Sequence, residues 1–391
     1  MNNIFWKIKR ELRRAARNIP NIFLEIARKL YFRKYYDYTK HKKTKRSVGN
    51  NPLSDDIAIY LIFPSSGLLD SHLYMLYELR NAGISSIVVS NFSLENESRN
   101  KLLRYASLII ERPNIGYDFG GYRDGVLEII DQLTTLKRLW LLNDSAWLVP
   151  QDHSWFDQAR ALNRDFVSAT SSFSVVRKLR RRVRGVEPAR YRSIIWNHTP
   201  NNPKFHYASY ALCIGSKILK DPEFLIYWKK LEIRNDKTWT VRRGELGLTQ
   251  WVFKHQYSHA ATHDIENLDQ ELNALDGTDL DLTACEIILL ADEQMVPIKR
   301  HVLGINAHSA EGRAERIGFI LTATARRGSA YSLALYNLRR HKLPFLKKSP
   351  LWLSADSANM IIDLLCTHRI QESAFIVREA KDLYADRGNH K

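Results

Sequence analysis

Cysteine is scarce in this chain of 391 residues, and its three copies, Cys213, Cys285 and Cys366, lie far apart. This spacing excludes a disulfide framework and a Cys-x-x-Cys metal or redox pair, and it is typical of a reducing compartment. Apolar runs are short: none reaches the roughly 18 residues of a membrane-spanning helix, and the N-terminal segment lacks the apolar core of a secretory signal. With 17 glycines and 12 prolines, the composition also excludes collagen-like and low-complexity proteins. We therefore expect a folded, cytoplasmic protein.

Positive charge, in contrast, is abundant and unevenly placed. Lys and Arg number 59 and Asp and Glu 42, which gives a net charge of +17. The segment from Met1 to Arg46 holds 15 basic and 3 acidic residues, so +12 of the charge falls there and +5 in the rest. Because the charge lies mainly in one arm and no RNA- or DNA-binding motif is recognised, we expect no nucleic-acid partner.

The basic segment also carries an apolar stripe. Between Phe5 and Leu30 apolar residues recur every three or four positions, a helical period, and Pro20 divides the pattern into two short helices. A basic amphipathic helix suits the headgroup layer of an anionic membrane. We predict a membrane-association arm over residues 1–48, which holds the protein peripherally at the inner face of the cell membrane. The alternative is a helix docked on its own domain.

After a polar linker over residues 40–55, short apolar runs alternate with helical patterns. This alternation predicts an α/β domain over residues 55–308, with a mainly parallel, Rossmann-type sheet flanked by helices. Residues 309–391 show a helical pattern and no catalytic motif, which predicts a helical C-terminal region. The expected strands are 57–63, 84–90, 107–110 and 139–142, and the expected helices are 71–82, 94–105, 122–136, 331–340 and 355–385.

Ligands of parallel sheets bind beyond the carboxyl ends of the strands, and two loops at such ends are polar. The first, residues 112–123, combines glycines and arginines before a helix, which favours an anion. The second, Asn143-Asp144-Ser145, follows a strand, and its aspartate can hold a hard divalent cation that bridges a diphosphate. At both places the alternative is a turn with a purely structural role.

In their order along the chain, these loops and several later segments resemble the motifs of the rhamnan synthesis protein F family of bacterial glycosyltransferases. The resemblance covers residues 57–257. The family's His-x-Gln-Ser-Tyr motif reads His206-Tyr207-Ala208-Ser209-Tyr210 here, so alanine stands in place of the glutamine. The other matching residues are Ser90, Asn91, Arg112, Asn114, Gly116, Asp118, Phe119, Gly120, Asn143, Asp144, Ser145, Asp165, Phe166, Thr170, Ser171, Ser172, Phe224, Trp228, Glu245 and Gly247.

The resemblance implies a GT-A-like glycosyltransferase. Such an enzyme would take a nucleotide-sugar donor and move a sugar, such as rhamnose or a related deoxyhexose, to a lipid-linked or polysaccharide acceptor. The setting would be the synthesis of lipopolysaccharide O-antigen or another cell-surface glycan, with other polysaccharide-assembly enzymes as further partners. The competing interpretation is a GT-A-like carbohydrate-binding or assembly protein without turnover, which the alanine at position 208 favours.

Inverting transfer needs a base for the acceptor hydroxyl and a positive charge for the departing diphosphate. Glu245, which heads a helical stretch, is the candidate base; a glutamate that complements a helix dipole is the alternative. Asp144 is the candidate ligand of a divalent cation, Mg²⁺ or Mn²⁺. His206 is a candidate metal ligand or phosphate-binding residue; a buried, satisfied histidine is the alternative. The predicted donor-binding residues are Arg112, Asn114, Gly116, Tyr117, Asp118, Asn143, Ser145 and His206.

Overall fold

The computed structural model describes residues 43–172, 204–290, 292–367 and 373–386, together with the single positions 36, 37, 39, 196, 200 and 201. The two helices predicted between Phe5 and Leu30 lie outside the described residues. None of the helices within the described ranges is both long and apolar enough to span a membrane.

The predicted alternation of strands and helices is present, and it builds a mixed α/β fold. In the described ranges, nine strands form one mainly parallel sheet, and two short strands form a second sheet. The strands are β1 (Lys45–Val48), β2 (Asp56–Ile62), β3 (Ser85–Ser90), β4 (Leu108–Glu111), β5 (Arg138–Asn143), β6 (Ala146–Leu148), β7 (Phe166–Ser172), β8 (His206–Tyr207), β9 (Ala211–Gly215), β10 (His259–His263) and β11 (Phe345–Lys347).

Helices flank both faces of this sheet, and the last helices of the chain pack in a third cluster beside the second sheet. The helices of the described ranges follow in chain order. They are α1 (Asp70–Asn81), α2 (Asn96–Leu103), α3 (Tyr117–Glu128), α4 (Trp155–Ala161), α5 (Ser216–Leu219), α6 (Pro222–Lys230), α7 (Lys237–Thr240), α8 (Leu246–Lys254), α9 (Leu268–Ala274), α10 (Gly277–Cys285), α11 (Met295–Leu303), α12 (Ala310–Arg327), α13 (Ser329–Ser332), α14 (Ala334–Arg340), α15 (Pro350–Leu353), α16 (Ala355–Thr367) and α17 (Ala374–Ala385).

The order of the strands places a topological switch point beside β2. The main sheet runs β1-β4-β3-β2-β5-β9-β7-β10, with β8 paired to β7. The chain lays β3 and β4 on one side of β2 and then crosses back to place β5, parallel to β2, on its other side. Strand β9 runs antiparallel to both of its neighbours. In open α/β sheets, ligands bind at the carboxyl ends of the strands where the order reverses, so this crevice is where a site is expected.

Strand β2 separates two layers of core because successive side chains of a strand point to opposite faces. Ile59 and Leu61 pack in the cluster that contains Phe119 of α3. Tyr60 packs on the other face, in the cluster that contains Met75 of α1. All residues of β2 are buried, as expected for a parallel strand covered on both sides.

Helix α3 begins at Tyr117, five residues earlier than predicted. Glycines lower the intrinsic helix propensity of this segment, but tertiary packing outweighs that cost. A Cβ atom at Gly121 would lie 2.4 Å from Leu61 Cδ1, and one at Gly125 would lie 2.6 Å from Ile59 Cγ2. Both glycines therefore allow α3 to lie close against β2, which gives this part of the glycine-rich segment a structural role.

The segment predicted as a polar linker contains a strand instead. Strand β1 pairs antiparallel with β4 at the edge of the sheet, where its charged side chains are tolerated. Just upstream, the hydroxyl of Tyr36 donates a hydrogen bond to Asp124 of α3 and accepts one from Arg112 at 2.8 Å. Arg123 donates to Asp37 at 2.7 Å. The prediction of a linker was wrong here because the pattern of a short, charged edge strand is indistinguishable from that of a loop.

The C-terminal region is mostly helical, as predicted, but it also contributes a strand next to the sheet. Strand β11 pairs antiparallel with β6, which directly follows β5. Buried side chains of this region share a core cluster with Trp147 of β6. Glu379 of α17 accepts hydrogen bonds from the indole of Trp147 and from the amide of Ser71, each at 2.8 Å. The boundaries predicted at residues 48, 55 and 308 stay predictions.

Candidate active site

Polar side chains from four distant parts of the chain meet at the carboxyl end of β5, beside the switch point. We call this set the carboxyl-end cluster. Its members are Asp118 of α3, Asn143 and Ser145 at the end of β5, Glu245 before α8, and Lys347 of β11.

Asn143 joins several of these groups. Its side-chain amide donates to Asp118 Oδ2 at 3.3 Å and to the hydroxyl of Tyr122 at 3.0 Å. Its carbonyl oxygen accepts from the Ser145 amide at 3.1 Å and from the Ser145 hydroxyl at 2.5 Å. The Asn-Asp-Ser turn therefore closes on itself, and it holds the Asp118 carboxyl in a fixed position.

The environment of Asp118 makes its charge costly. Burial raises its pKa to about 6, and the negative charges of Glu245 and Asp144 act in the same direction, whereas the charge of Lys347 lowers it. Perturbed carboxyl groups of this kind concentrate at functional sites, although structural networks produce them as well.

Glu245 lies within a continuous helical segment rather than at its start. A π-helical turn, Val241–Glu245, connects α7 to α8, so the predicted heading position was wrong and the helix-dipole alternative does not apply. Its Oε1 accepts the amide hydrogen of Ser209 at 2.9 Å, and its Oε2 lies 3.9 Å from His206 Nε2. Turns of this kind are often found at functional sites. The structure thus brings Glu245, His206 and the residues before β9 together.

The Asp144 carboxylate has its hydrogen-bond partners outside this cluster and connects three elements. Its Oδ2 accepts the Phe63 amide of the β2 end at 2.7 Å and lies 3.1 Å from Nε2 of the buried His72 of α1. Burial acts to raise the pKa of Asp144, but the bond to His72, the charges of His72 and Lys348 and the Phe63 amide lower it overall.

The fit of a divalent cation can be tested on these donors. In the described part of the chain, no group of three or more His, Cys, Asp and Glu side chains could hold a metal ion. Asp144 Oδ2 is engaged with protein donors, and Lys348 already supplies a positive charge nearby. Among the described residues, Asp144 belongs to no cluster of His, Cys, Asp and Glu ligands, and its role as a metal ligand stays a prediction.

Lys347 is the member of the cluster that the sequence did not indicate. Its Nζ donates to Ser145 Oγ at 2.9 Å and lies 4.1 Å from the ring centroid of Tyr210. Burial lowers its pKa to about 8, although the charges of Asp118 and Glu245 act to raise it. Lys347 is 202 positions away from Ser145, and the only signal is a short apolar run before two lysines in an otherwise helical region.

Three of the remaining predicted donor residues, Arg112, Asn114 and Gly116, lie on the loop before α3, and Tyr117 is the first residue of that helix. Gly116 has a φ of 83°, in the left-handed region that favours glycine. Tyr117 is 40% exposed and has a φ of 50°, and Asn114 is exposed. Arg112 is buried, and it donates to Asp124 and to the backbone oxygen of the same loop. These bonds give Arg112 a loop-shaping role, and a donor contact by it stays a prediction that they do not favour.

A mainly parallel α/β sheet flanked by helices, with polar side chains gathered at its switch point, is the arrangement of a Rossmann-like fold. Residues 86–343, about two thirds of the chain, match the family described as Rhamnan synthesis protein F. The chain therefore belongs to the rhamnan synthesis protein F family, which confirms the predicted resemblance.

One relative in this comparison is itself described as uncharacterized. It is protein y4gN of Sinorhizobium fredii, which is 33% identical to this chain over 249 residues, or 62% of the chain. The match covers 57% of the relative, so the chain spans just over half the length of that protein.

Proposed function

We propose that this chain is a glycosyltransferase with a GT-A-like fold. It transfers a sugar, rhamnose or a related deoxyhexose, from a nucleotide-sugar donor to a growing lipid-linked polysaccharide in O-antigen or other cell-surface glycan synthesis. The observation that carries the proposal is the carboxyl-end cluster at the switch point of a chain in the rhamnan synthesis protein F family. Two carboxyl groups, an amide, a hydroxyl and an ammonium group there suit the binding of a sugar and a diphosphate.

The proposed reaction is an inverting displacement. The acceptor oxygen forms a bond to the anomeric carbon while the bond from that carbon to the diphosphate breaks, and the electron pair of the broken bond goes to the diphosphate. Glu245 takes the proton of the acceptor hydroxyl. The Ser209 amide, which donates to Oε1, fixes the carboxylate and leaves Oε2 on the side of His206. A positioned base of this kind contributes about 10² to 10⁴ to the rate.

Exposed aromatic rings beside the crevice support a nucleoside site. Phe63 follows β2, Phe92 follows β3 and Tyr117 lies after β4, and they are 42%, 37% and 40% exposed. The rings of Phe63 and Phe92 meet edge to face, with centroids 4.7 Å apart. Bases stack on such rings at a gain of about 1–3 kcal/mol each. We therefore place the base of the donor on this side of the carboxyl-end cluster.

The setting we propose is the inner face of the cell membrane. The net charge of +12 between Met1 and Arg46 and the apolar stripe within it support peripheral attachment to anionic lipids. A lipid-linked acceptor and other polysaccharide-assembly enzymes would be met there. The attached arm would keep the switch-point crevice close to that acceptor.

Donor turnover tests the proposal. Purified protein is incubated with nucleotide-activated deoxyhexoses and hexoses, and release of nucleoside diphosphate is measured with and without a lipid-linked acceptor. We expect one donor to be consumed, faster with acceptor present. Donor binding without release of nucleoside diphosphate would instead favour a carbohydrate-binding or assembly protein. The alanine at position 208 favours that alternative.

A further inference from the structure

We propose that Lys347 binds the diphosphate of the nucleotide-sugar donor and supplies the positive charge that a divalent cation would otherwise bring. This inference rests on the proposed function and names a further residue of the same site. Lys347 also lies beyond the part of the chain that matches the family, which ends at residue 343.

Lys347 lies at the edge of the sheet where a donor diphosphate is expected. Strand β6 directly follows the Asn-Asp-Ser turn, and the antiparallel pairing places Lys347 opposite Ala146. The Lys347 side chain then reaches Ser145, at the carboxyl end of β5 and next to the switch point. A diphosphate bound at the carboxyl ends of β2 and β5, as the rule for α/β sheets predicts, would lie within reach of this ammonium group.

The second support is the way in which Lys347 is held. Its Nζ contacts a hydroxyl group and the faces of two aromatic rings, those of Tyr210 at 4.1 Å and Tyr331 at 5.9 Å. Among the described residues, no carboxylate oxygen lies within the 4.0 Å of an ion pair with it. A half-buried ammonium group without an ion-pair partner is costly, and a bound anion would remove that cost.

The neighbouring Lys348 has different surroundings from Lys347. Lys348 is buried beneath the ring of Trp147, at 5.4 Å, and its charge acts on Asp144 and Glu379 inside the protein. Lys348 therefore neutralises buried carboxylates, whereas Lys347 faces the cluster that we assign to the substrate. Lys347 is the last residue of β11 and Lys348 directly follows the strand, and the two side chains have different partners.

The test is calorimetric titration of the full chain with UDP, GDP and dTDP in the presence of EDTA, followed by the same titrations with Mg²⁺ or Mn²⁺. We expect the wild type to bind one nucleoside diphosphate in EDTA about as tightly as with metal ion. Lys347→Met should weaken this binding by about 10- to 100-fold, the loss expected for a hydrogen bond to a charged group. Lys347→Arg, which keeps the charge, should restore most of the affinity, and the exposed Lys342→Met is the matched control and should bind like the wild type.

The pH dependence gives a readout that a merely structural lysine would not move. Wild-type affinity should fall as the pH rises above about 8, because the ammonium group of Lys347 loses its proton, whereas Lys347→Arg should show no such fall. The groups that face Lys347 and influence its charge are Ser145, Tyr210, Tyr331, Asp118, Glu245 and Lys237.

Two results would overturn the inference and leave the proposed function standing: unchanged binding by Lys347→Met, or wild-type binding that disappears in EDTA and returns with metal ion. If the wild type binds none of the three nucleoside diphosphates, with or without metal ion, the proposed function fails together with the inference. Should Lys347→Met melt below the wild type, the comparison of wild type with Lys347→Arg across pH decides the question.

Discussion

At the scale of single residues, the site combines groups whose charges oppose one another. The charges of Glu245 and Lys347 act on the pKa of Asp118, and the charges of Asp118 and Glu245 act on the pKa of Lys347. All three side chains are partly removed from water. Such an arrangement lowers the stability of the free protein, and arrangements of this kind concentrate at sites of binding and catalysis. Substitution of Asp118 measures what this arrangement costs in stability, and substitution of Glu245 measures what it contributes to transfer.

Asp118→Asn should stabilise the protein at neutral pH. The pKa of Asp118 is raised to about 6 from 3.8, so the folded state binds the proton more tightly, and stability falls as the pH rises from about 4 to about 6. Asparagine keeps the acceptor for Asn143 and carries no charge. The free energy of unfolding should therefore rise at pH 7.5 by on the order of 2–3 kcal/mol. Urea unfolding at pH 4, 5.5 and 7.5 measures it.

The gain in the free energy of unfolding from Asp118→Asn should disappear at pH 4, because the carboxyl group of the wild type is largely protonated there in the folded protein. The exposed Asp131→Asn serves as the control and should change the free energy of unfolding little at any of these pH values. An Asp118→Asn variant with the same gain at pH 4 as at pH 7.5 would show that charge is not the cause.

Glu245→Gln should separate acceptor activation from donor binding. The glutamine side-chain carbonyl can still accept the Ser209 amide hydrogen, so the helix and the donor site should stay intact. Transfer should fall by about 10² to 10⁴, and the loss should shrink as the pH rises and the acceptor hydroxyl needs less help. Transfer rates and donor affinity are measured side by side, with the exposed Glu266→Gln as control. Loss of donor affinity would make Glu245 a binding residue instead.

At the scale of elements, close packing around α3 sets the position of the site. Glycines bring α3 against β2, and Gly244 brings the π-helical turn against Phe119 of the same helix. The turn carries Glu245, so the packing of α3 positions both carboxyl groups of the cluster. A change at this contact should therefore affect stability and activity together.

Gly244→Ala should destabilise the protein and reduce transfer, because its Cβ would lie 2.3 Å from the ring of Phe119. Overpacking of a buried contact costs about 1–3 kcal/mol. Gly247→Ala is the matched control: its Cβ would have ordinary contacts, at 3.5 Å or more, and alanine in a helix should gain about 0.5–1 kcal/mol. Melting and transfer rates of the two variants are compared. Equal melting temperatures would contradict the packing argument.

At the scale of the whole molecule, the first and the last of the described segments are tied to the sheet. Near the N-terminal side, Tyr36 and Asp37 bond to Arg112 and Arg123, and β1 pairs with β4. Near the C-terminal side, β11 pairs with β6, and α17 bonds to the start of α1. These connections separate the predicted membrane arm from the structural segment that follows it, and they allow a sharper truncation than removal of all basic residues.

Deletion of residues 1–35 should abolish sedimentation with anionic liposomes at physiological salt and leave the melting temperature unchanged. Deletion of residues 1–48 should in addition lower the free energy of unfolding by about 1–3 kcal/mol, because it removes β1 and the partners of Arg112 and Arg123. Neutral liposomes are the control for charge. Continued sedimentation of the shorter deletion would show that the arm is not the anchor.

Much of the fold follows from local pattern. The strands β2, β3, β4 and β5 and the helix α1 were predicted within a few residues, because a buried strand and an amphipathic helix each leave their own period in the sequence. The two polar loops were located by the same logic, since they follow strands of a parallel sheet. The family motifs added Glu245, which no period indicates.

The tertiary structure decided the rest. In the folded protein, Asp144 contacts His72 and Phe63, and Arg112 donates to its own loop. Lys347 contacts Ser145, from which it is 202 positions away in the chain. Hydrophobic period reports which face of an element is buried, but not which distant element covers it. The strand order and the partners of each buried charge depend on contacts between segments far apart in the chain, so only the folded molecule determines them.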